Sequence, residues 1–395
     1  MQTKLSQELL STPRGKRADE ILRKCVHCGF CNATCPTYQI TGDELDGPRG
    51  RIYLIKEMLE GNQTTTSTLN HLDNCLTCLS CETTCPSGVN YGELVEIGRH
   101  SAERSNLRNT ISAFKRWGLC TILPYPARFK PIYWFASLIG ITPTTNNTSR
   151  NNPSTDNPSD KVILLDGCVQ SVISPEINQT LSHLLHSLNI ESVSLKSVSC
   201  CGAIQHHNSQ SEKALDTIKQ NIDHWWPMIE NGYSTIIMSA SGCGSMVKDY
   251  QRLLAHDSDY ADKARVITQI TKDASEFFAQ QKFIAKLDTK STIAFHPPCT
   301  LQHDQKVVDV VEPILRNAGY EIKNFKDKHL CCGSAGTYSI LQSALSNKLR
   351  SNKILDIKKS NPDIIATANI GCILHLQKNS PIPVMHWLDL IEVAN

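Results

Sequence analysis

Apolar residues recur at two different periods along this chain, and the change of period divides it. In the first hundred residues they fall every three or four positions: Leu5 to Leu10, Ala18 to Leu22, then Ile52, Ile55, Met58 and Leu59. That is the spacing of one buried helix face. Residues 1–24 predict a helix interrupted near Pro13. Asp46 suits a cap, Pro48 a first turn and Gly61 a stop, so a second helix lies between them. Tyr91 to Glu103 reads as a third. From residue 161 the apolar positions form short continuous runs instead: Val162-Ile-Leu-Leu, Thr235-Ile-Ile-Met, Ile293-Ala-Phe and Ile364-Ile-Ala. Such runs, alternating with helical stretches, predict the buried strands of parallel α/β units.

Between the two regimes, Thr142 to Asp160 carries almost no apolar side chain and reads as a flexible linker. The segment before it is rich in Arg, Trp and Pro. Its apolar run, Ile132 to Ile141, is too short to cross a bilayer. A buried helix is the simplest reading, and docking on a membrane surface or a partner is the other. The expected division is 1–104 helical, 105–160 variable segment and linker, 161–285 one α/β unit and 286–395 a second.

The polar gaps between the early helices hold the chemistry. Cys25, Cys28, Cys31 and Cys35 are followed by Pro36, and Cys75, Cys78, Cys81 and Cys85 by Pro86. Each run is C-x2-C-x2-C-x3-C-P, a bacterial iron–sulfur pattern. Three cysteines at three-residue intervals wrap one cubane, and the fourth ligates the other cluster. The expected ligands of one 4Fe–4S cluster are Cys25, Cys28, Cys31 and Cys85. Those of the second are Cys75, Cys78, Cys81 and Cys35. The doubled run oversupplies a zinc site and is too crowded for disulfides. Arg49 and Arg51, between the runs, are placed either to offset cluster charge or to form a solvated face.

The α/β region is an internal repeat. Cys168 and Cys299 each follow a predicted strand, and a Cys-Cys-Gly begins 32 residues after each, at Cys200-Cys201 and Cys331-Cys332. Cys243 and Cys372 follow the next strand in each half. Parallel sheets gather ligands at the carboxyl ends of their strands. Each half therefore collects four thiols: Cys168, Cys200, Cys201 and Cys243, then Cys299, Cys331, Cys332 and Cys372. A further iron–sulfur centre, a disulfide-exchange site, a zinc site and a structural relic all remain open here. Zinc is the weakest of these. Cys120 reads as a buried small hydrophobe.

Composition narrows the setting. A formal net charge of +2 over 395 residues gives no bulk attraction for nucleic acid. Seventeen cysteines without a basic-then-apolar leader point to a reducing, cytoplasmic compartment, with membrane association peripheral at most.

Taken together, the two runs, Asp43-Glu-Leu-Asp-Gly-Pro-Arg-Gly-Arg51 between them and the two Cys-Cys-Gly repeats resemble the iron–sulfur subunits of bacterial glycolate oxidase. Ala240-Ser-Gly-Cys243-Gly, Pro298-Cys-Thr-Leu-Gln-His303 and Leu330-Cys-Cys-Gly-Ser-Ala-Gly-Thr-Tyr338 extend the likeness. The resemblance implies an α-helical two-cluster ferredoxin-like domain followed by two repeated α/β cysteine-rich domains. It also implies a membrane-associated complex in which FAD-containing partner subunits oxidise glycolate to glyoxylate. Electrons would then pass through this chain to an acceptor such as quinone. The repeats are similar to the cysteine-rich domain of heterodisulfide reductase. That pattern ends in C-x2-C, whereas here the fifth position is Met246 or His375. His375 is either a substitute ligand or a surface histidine.

Glycolate is a two-electron donor and a cluster carries one electron at a time, so a flavin must split the pair. No Gly-x-Gly-x-x-Gly opens a helix after a strand here, and the flavin is expected on the partner. The rival readings are the same relay in a lactate or glycerol-3-phosphate dehydrogenase, thiol–disulfide chemistry in the repeats, and a structural metal scaffold.

Overall fold

The computed structural model describes residues 1–138, 158–198 and 200–394. The expected linker falls largely outside them.

The N-terminal region is helical. The predicted first helix is broken where expected: Gln7–Ser11 ends at Thr12, whose hydroxyl then accepts from the Gly15 amide and caps Pro13–Lys24. The helix between the cysteine runs is Pro48–Leu59, with Ile52, Ile55 and Leu59 buried. Gly47, not Asp46, is its N-cap. Asp46 is taken up elsewhere: its carboxylate accepts from Arg51 (3.4 Å), His71 (2.9 Å) and Asn74 (3.0 Å). The helix Tyr91–Glu103 buries Tyr91, Leu94, Val95 and Ile97 against Pro48–Leu59 and Thr66–Asp73. These helices enclose one apolar core, so the two cysteine loops at its edge are held from both sides.

Two α/β units follow, each a four-stranded parallel sheet. The first contains β1 (Asp160–Leu164), β2 (Ile190–Ser194), β3 (Thr235–Met238) and β4 (Thr271–Asp273), ordered β2-β1-β3-β4. After β5 (Phe283–Ala285), the second contains β6 (Thr292–His296), β7 (Glu321–Ile322), β8 (Ile364–Thr367) and β9 (Val384–His386). Its order, β7-β6-β8-β9, repeats the first. The central strands are apolar on both faces because helices cover both. β10 (Ile391–Val393) returns to pair antiparallel with β5. Val162, Leu164, Leu181 and Phe278 of the first half share one core with Ile293, Phe295, Leu315 and Trp387 of the second. The Ser241 amide also donates to the Ala368 carbonyl at 3.1 Å. The fold is thus a helical two-cluster ferredoxin-type domain with two repeated α/β cysteine-rich domains.

One expectation is overturned. The described part of the run beginning at Ile132 lies in the helix Pro126–Leu138 and is mostly exposed: Tyr133 is buried, but Ile132 is 50% exposed, Trp134 62%, Phe135 61% and Leu138 61%. The preceding helix, Thr110–Ile122, adds exposed Ile111, Phe114 and Trp117 at helical spacing on one face. Its other face is fastened down. Arg116 pairs with Asp73 (2.8 Å), and the buried Cys120 thiol lies 3.8 Å from the Ile204 carbonyl oxygen. The apolar run is too narrow to be wrapped because both helices already spend their inner faces on the body. Among the described residues, no helix is long and apolar enough to cross a membrane.

Candidate metal centres

The two cysteine runs fold into matching loops. His27 and Thr77, which precede the second cysteine of each run, have positive φ (56° and 51°). So do the residues after it, Gly29 (82°) and Leu79 (60°). Two left-handed residues around one cysteine curl the backbone so that its neighbours' thiols face inward. At Gly29 a Cβ would lie 2.6 Å from an Arg49 guanidinium nitrogen, so the glycine admits that side chain. Leu79 carries the unfavourable backbone state, of the kind that concentrates at functional sites.

The loops bring the expected cysteines together in two cavities. Cys25, Cys28, Cys31 and Cys85 line one, of about 430 Å³ including its open mouth, with Cys81 on the wall it shares with its neighbour. Cys35, Cys75, Cys78 and Cys81 line the other, of about 280 Å³. In each, the fourth thiol comes from the opposite run. Pro48 and Tyr91 border both, so the cavities share a wall. Cys28 is exposed at the first cavity, beside Val26 and Phe30, which are also exposed. The second cavity is walled mostly by buried side chains, among them Cys35, Arg51, Cys75, Leu76, Cys81 and Tyr91.

The donor set fits a pair of thiolate-ligated clusters. Burial, reinforced by neighbouring thiols, pushes Cys31 up to about 11 and Cys78 and Cys81 well above the ordinary thiol value. Without a cation such thiols stay protonated, and a coordinated metal ionises them outright. Burial alone would also raise Cys75, but the Arg51 and Arg99 guanidiniums outweigh it and bring it below its ordinary value. Arg51 is 1% exposed and donates to the His71 carbonyl at 2.7 Å. Arg99 donates to the Leu72 (2.9 Å) and Cys75 (2.5 Å) carbonyls. The Thr77 amide (3.4 Å) and Tyr91 hydroxyl (3.5 Å) donate to the Cys75 sulfur. Of the two arginines between the runs, then, Arg51 is a buried cation beside the second cavity. Arg49 pairs with Glu44 near the surface.

Each α/β half also gathers its four expected thiols. In the second, the Cys299 and Cys331 sulfurs are 3.9 Å apart and those of Cys332 and Cys372 are 3.6 Å apart. In the first, the thiols interact in series, Cys168 with Cys200, Cys200 with Cys201 and Cys201 with Cys243. Cys201, which interacts with both Cys200 and Cys243, lies well below its ordinary value, while those two are raised. Gly202 and Gly333, at φ of 92° and 94°, turn their amides back onto the Cys200 and Cys331 sulfurs at 3.4 Å.

The second half lies against the second cavity. Cys78 and Leu76 pack in one apolar cluster with Cys299, Cys331, Tyr338 and Leu349. The Tyr338 hydroxyl donates to the Asn74 carbonyl (3.2 Å), and Thr83 shares a 3.0 Å hydrogen bond with His303. The first half meets the helical domain through charge instead: Glu96 pairs with His206 and Arg252, both at 3.0 Å. Burial alone would raise Glu96, but His206 and Arg252 outweigh it and take it down to about 2. Burial would lower His206, but Glu96 outweighs it and raises it.

The sequence pattern missed the groups that support these thiols: Tyr91, Arg99, Tyr338 and His296. His375, the histidine the pattern singled out, has its Nε2 at 3.2 Å from the Ser346 hydroxyl. The imidazole that gathers with thiols is that of His296, beside Cys332 and Cys372. The repeat itself carries the signal for it, since His296 stands three residues before Cys299 where Leu165 stands before Cys168.

Comparison with known proteins agrees with this arrangement. Residues 21–89 match the family described as 4Fe-4S dicluster domain, and residues 162–248 and 293–377 match the family described as Cysteine-rich domain. A hypothetical protein from Helicobacter pylori has a similar fold, with a TM-score of 0.53 at 11% identity over 95% of this chain and 71% of that one. The probable glycolate oxidase iron-sulfur subunit of Bacillus subtilis (strain 168) is 27% identical over all of this chain and 99% of that protein. The glycolate oxidase iron-sulfur subunit of Escherichia coli (strain K12) is 43% identical, again over all of this chain and 99% of that protein. With the cysteine loops, the repeated halves and this full-length likeness in agreement, the chain belongs to the family of glycolate oxidase iron–sulfur subunits.

Proposed function

We propose that this chain is the electron-transfer subunit of a glycolate-oxidising complex. It would receive single electrons from an FAD-containing partner that converts glycolate to glyoxylate, and deliver them to an acceptor, quinone being our choice. The observation that carries the reading is the pair of adjoining cysteine-lined cavities, each taking one thiol from the opposite run, with Leu76 and Cys78 of the second packed against the second cysteine-rich half. Cys25, Cys28, Cys31 and Cys85 would hold one 4Fe–4S cluster, and Cys35, Cys75, Cys78 and Cys81 the other. When bound, such clusters supply one-electron redox chemistry at potentials tuned by charge, hydrogen bonds and burial. The chain's own residues supply that tuning. Arg51 and Arg99 set positive charge beside the second cavity, and Tyr91 and the Thr77 amide donate to a ligand sulfur. Leu76 and Tyr338 pack together beside that cavity. Exposed Cys28, Val26 and Phe30 form the edge that a flavoprotein would approach. The thiols of the halves are the place for an additional iron–sulfur centre.

The exposed face of Thr110–Ile122 and Pro126–Leu138 supports peripheral docking on the inner face of the cytoplasmic membrane. It presents Phe114, Trp117, Trp134 and Phe135 with Lys115, Arg128 and Lys130, and no acidic residue occurs from Arg104 to Leu138. Aromatic and basic side chains together suit an anionic lipid surface.

The test is anaerobic co-purification of the full chain with its flavoprotein partners. We expect about eight irons from the two cubanes, plus any held by the halves, and bleaching of the iron–sulfur absorbance on adding glycolate. Partners that oxidise lactate but not glycolate would overturn the substrate assignment. An iron-free chain that still supports turnover would overturn the relay.

A further inference from the structure

The two halves align strand for strand and thiol for thiol, yet they differ in a residue that lies beside the thiols. Three residues before the first cysteine of each half, the first carries Leu165 and the second His296. Leu165 belongs to the apolar core around Cys201. His296 closes β6 and is 1% exposed. Neither of its ring nitrogens has a hydrogen-bond partner. An imidazole buried without a partner forfeits the hydrogen bonds it makes in water. Its ligand nitrogen lies with the Cys332 and Cys372 sulfurs, all within 4.8 Å of one another and all buried.

The spacing of the thiols adds a second, independent indication. Two thiolates on one tetrahedral metal, each about 2.3 Å from it, sit roughly 3.8 Å apart. Cys332 and Cys372 are 3.6 Å apart. They therefore converge on one point, and the histidine faces it. Thiolate with imidazole is a donor set that suits iron and zinc.

We propose that His296 is a metal ligand, binding the same iron as Cys332 and Cys372 in the second half. The first half, with Leu165 in its place, would hold an all-thiolate centre. This rests on the reading that the thiols of the halves hold metal. The electrostatic consequence is definite. A neutral imidazole in place of a thiolate removes one negative charge from the centre, and histidine for cysteine raises an iron–sulfur potential. The second half would be the more readily reduced of the two, and it is the half in contact with Cys78.

The experiment uses the full chain, prepared anaerobically with its partners, and three variants: His296→Leu, His296→Cys and Cys372→Ser. His296→Leu copies the side chain of the first half and so leaves the packing filled. The readouts are iron and zinc per chain and the nitrogen hyperfine coupling in pulsed electron paramagnetic resonance of the reduced protein. We expect a strongly coupled nitrogen in the native chain that disappears in His296→Leu together with part of the iron above eight. His296→Cys should retain that iron, lack the coupling and show a lower midpoint potential. Iron loss in Cys372→Ser with unchanged iron and coupling in His296→Leu would overturn the imidazole ligand while leaving metal in the second half. No change in metal in any variant would overturn the metal reading itself. Loss of zinc rather than iron would overturn the iron assignment. If His296→Leu fails to fold, native coupling together with the His296→Cys result decides the matter: coupling absent from the native chain overturns the proposal.

Discussion

The two cysteine-rich halves repeat one strand order and one spacing of thiols, but they meet the helical domain by different physics. The second half presses an apolar seam of Cys299, Cys331, Tyr338 and Leu349 onto Cys78 and Leu76. The first half uses an ionic seam, with Glu96 between His206 and Arg252. An apolar contact excludes water around thiols and stiffens the path between neighbouring centres. An ionic contact holds position and depends on pH. The two copies of one fold are therefore set against the helical domain differently: the second lies beside the second cysteine cavity, and the first is tied to the helix Tyr91–Glu103 by ion pairs.

The comparison is broken most severely at the second cavity. Cys78→Ala should lower cubane iron from about eight to about four per chain and abolish glycolate-driven reduction of the acceptor. Cys200→Ala, in the first half, should leave the signals of both cubanes intact. Iron analysis and electron paramagnetic resonance check both, and equal loss in the two variants would erase the distinction.

Next is the buried cation behind that cavity. Arg51→Met leaves Asp46 charged and buried with only His71 and Asn74 for partners. The expected cost is about 3–5 kcal/mol in denaturant unfolding, with a lower potential at the second cubane. A potential that stays put would mean Arg51 serves Asp46 alone.

The ionic seam should respond to pH. Glu96, held down to about 2 from an ordinary value of 4.5, adds stability that is present above pH 4.5 and lost as pH falls toward 2. His206, raised above 6.5, adds stability that is full below pH 6.5 and lost as pH rises through its raised value. The predicted size is on the order of 2 kcal/mol after solvent screening. Hydrogen-exchange protection of Ala203–His207 should fall above pH 6.5, and Glu96→Gln should flatten that limb. The apolar seam should show no such limb. The smallest effect sharpens that contrast: Tyr338→Phe, which removes only the hydrogen bond to Asn74, should cost about 1 kcal/mol in denaturant unfolding and leave the pH profile unchanged.

Much of this architecture was legible in the residues because the cysteines carry it. Spacing within each run dictates the loop, and the repeated 32-residue offset exposes the duplication. The crossing of Cys35 and Cys85 between cavities followed from how far a fourth cysteine sits from the other three. What could not be read was contact across the sequence. Arg99 reaches Cys75 from a helix that looks like any amphipathic helix, and Asp46 leaves its cap because Arg51, His71 and Asn74 claim it. The exposed helix Pro126–Leu138 defeated the expectation of burial because apolar content alone does not say which surface a helix covers. His375 drew attention by replacing a cysteine, whereas His296 is the imidazole beside the thiols.

The pairing of β5 with β10 has a consequence for biogenesis. Residues 283–285 emerge from the ribosome roughly a hundred residues before their hydrogen-bonding partners at 391–393. Until synthesis has passed the later strand, the first sheet lacks the neighbours that complete the core it shares with the second half. The first cysteine loop packs within the N-terminal core, whereas the second waits for Cys299, Cys331, Tyr338 and Leu349 to complete its surroundings. The two α/β halves are therefore expected to reach their final packing together, after the last strand has left the ribosome.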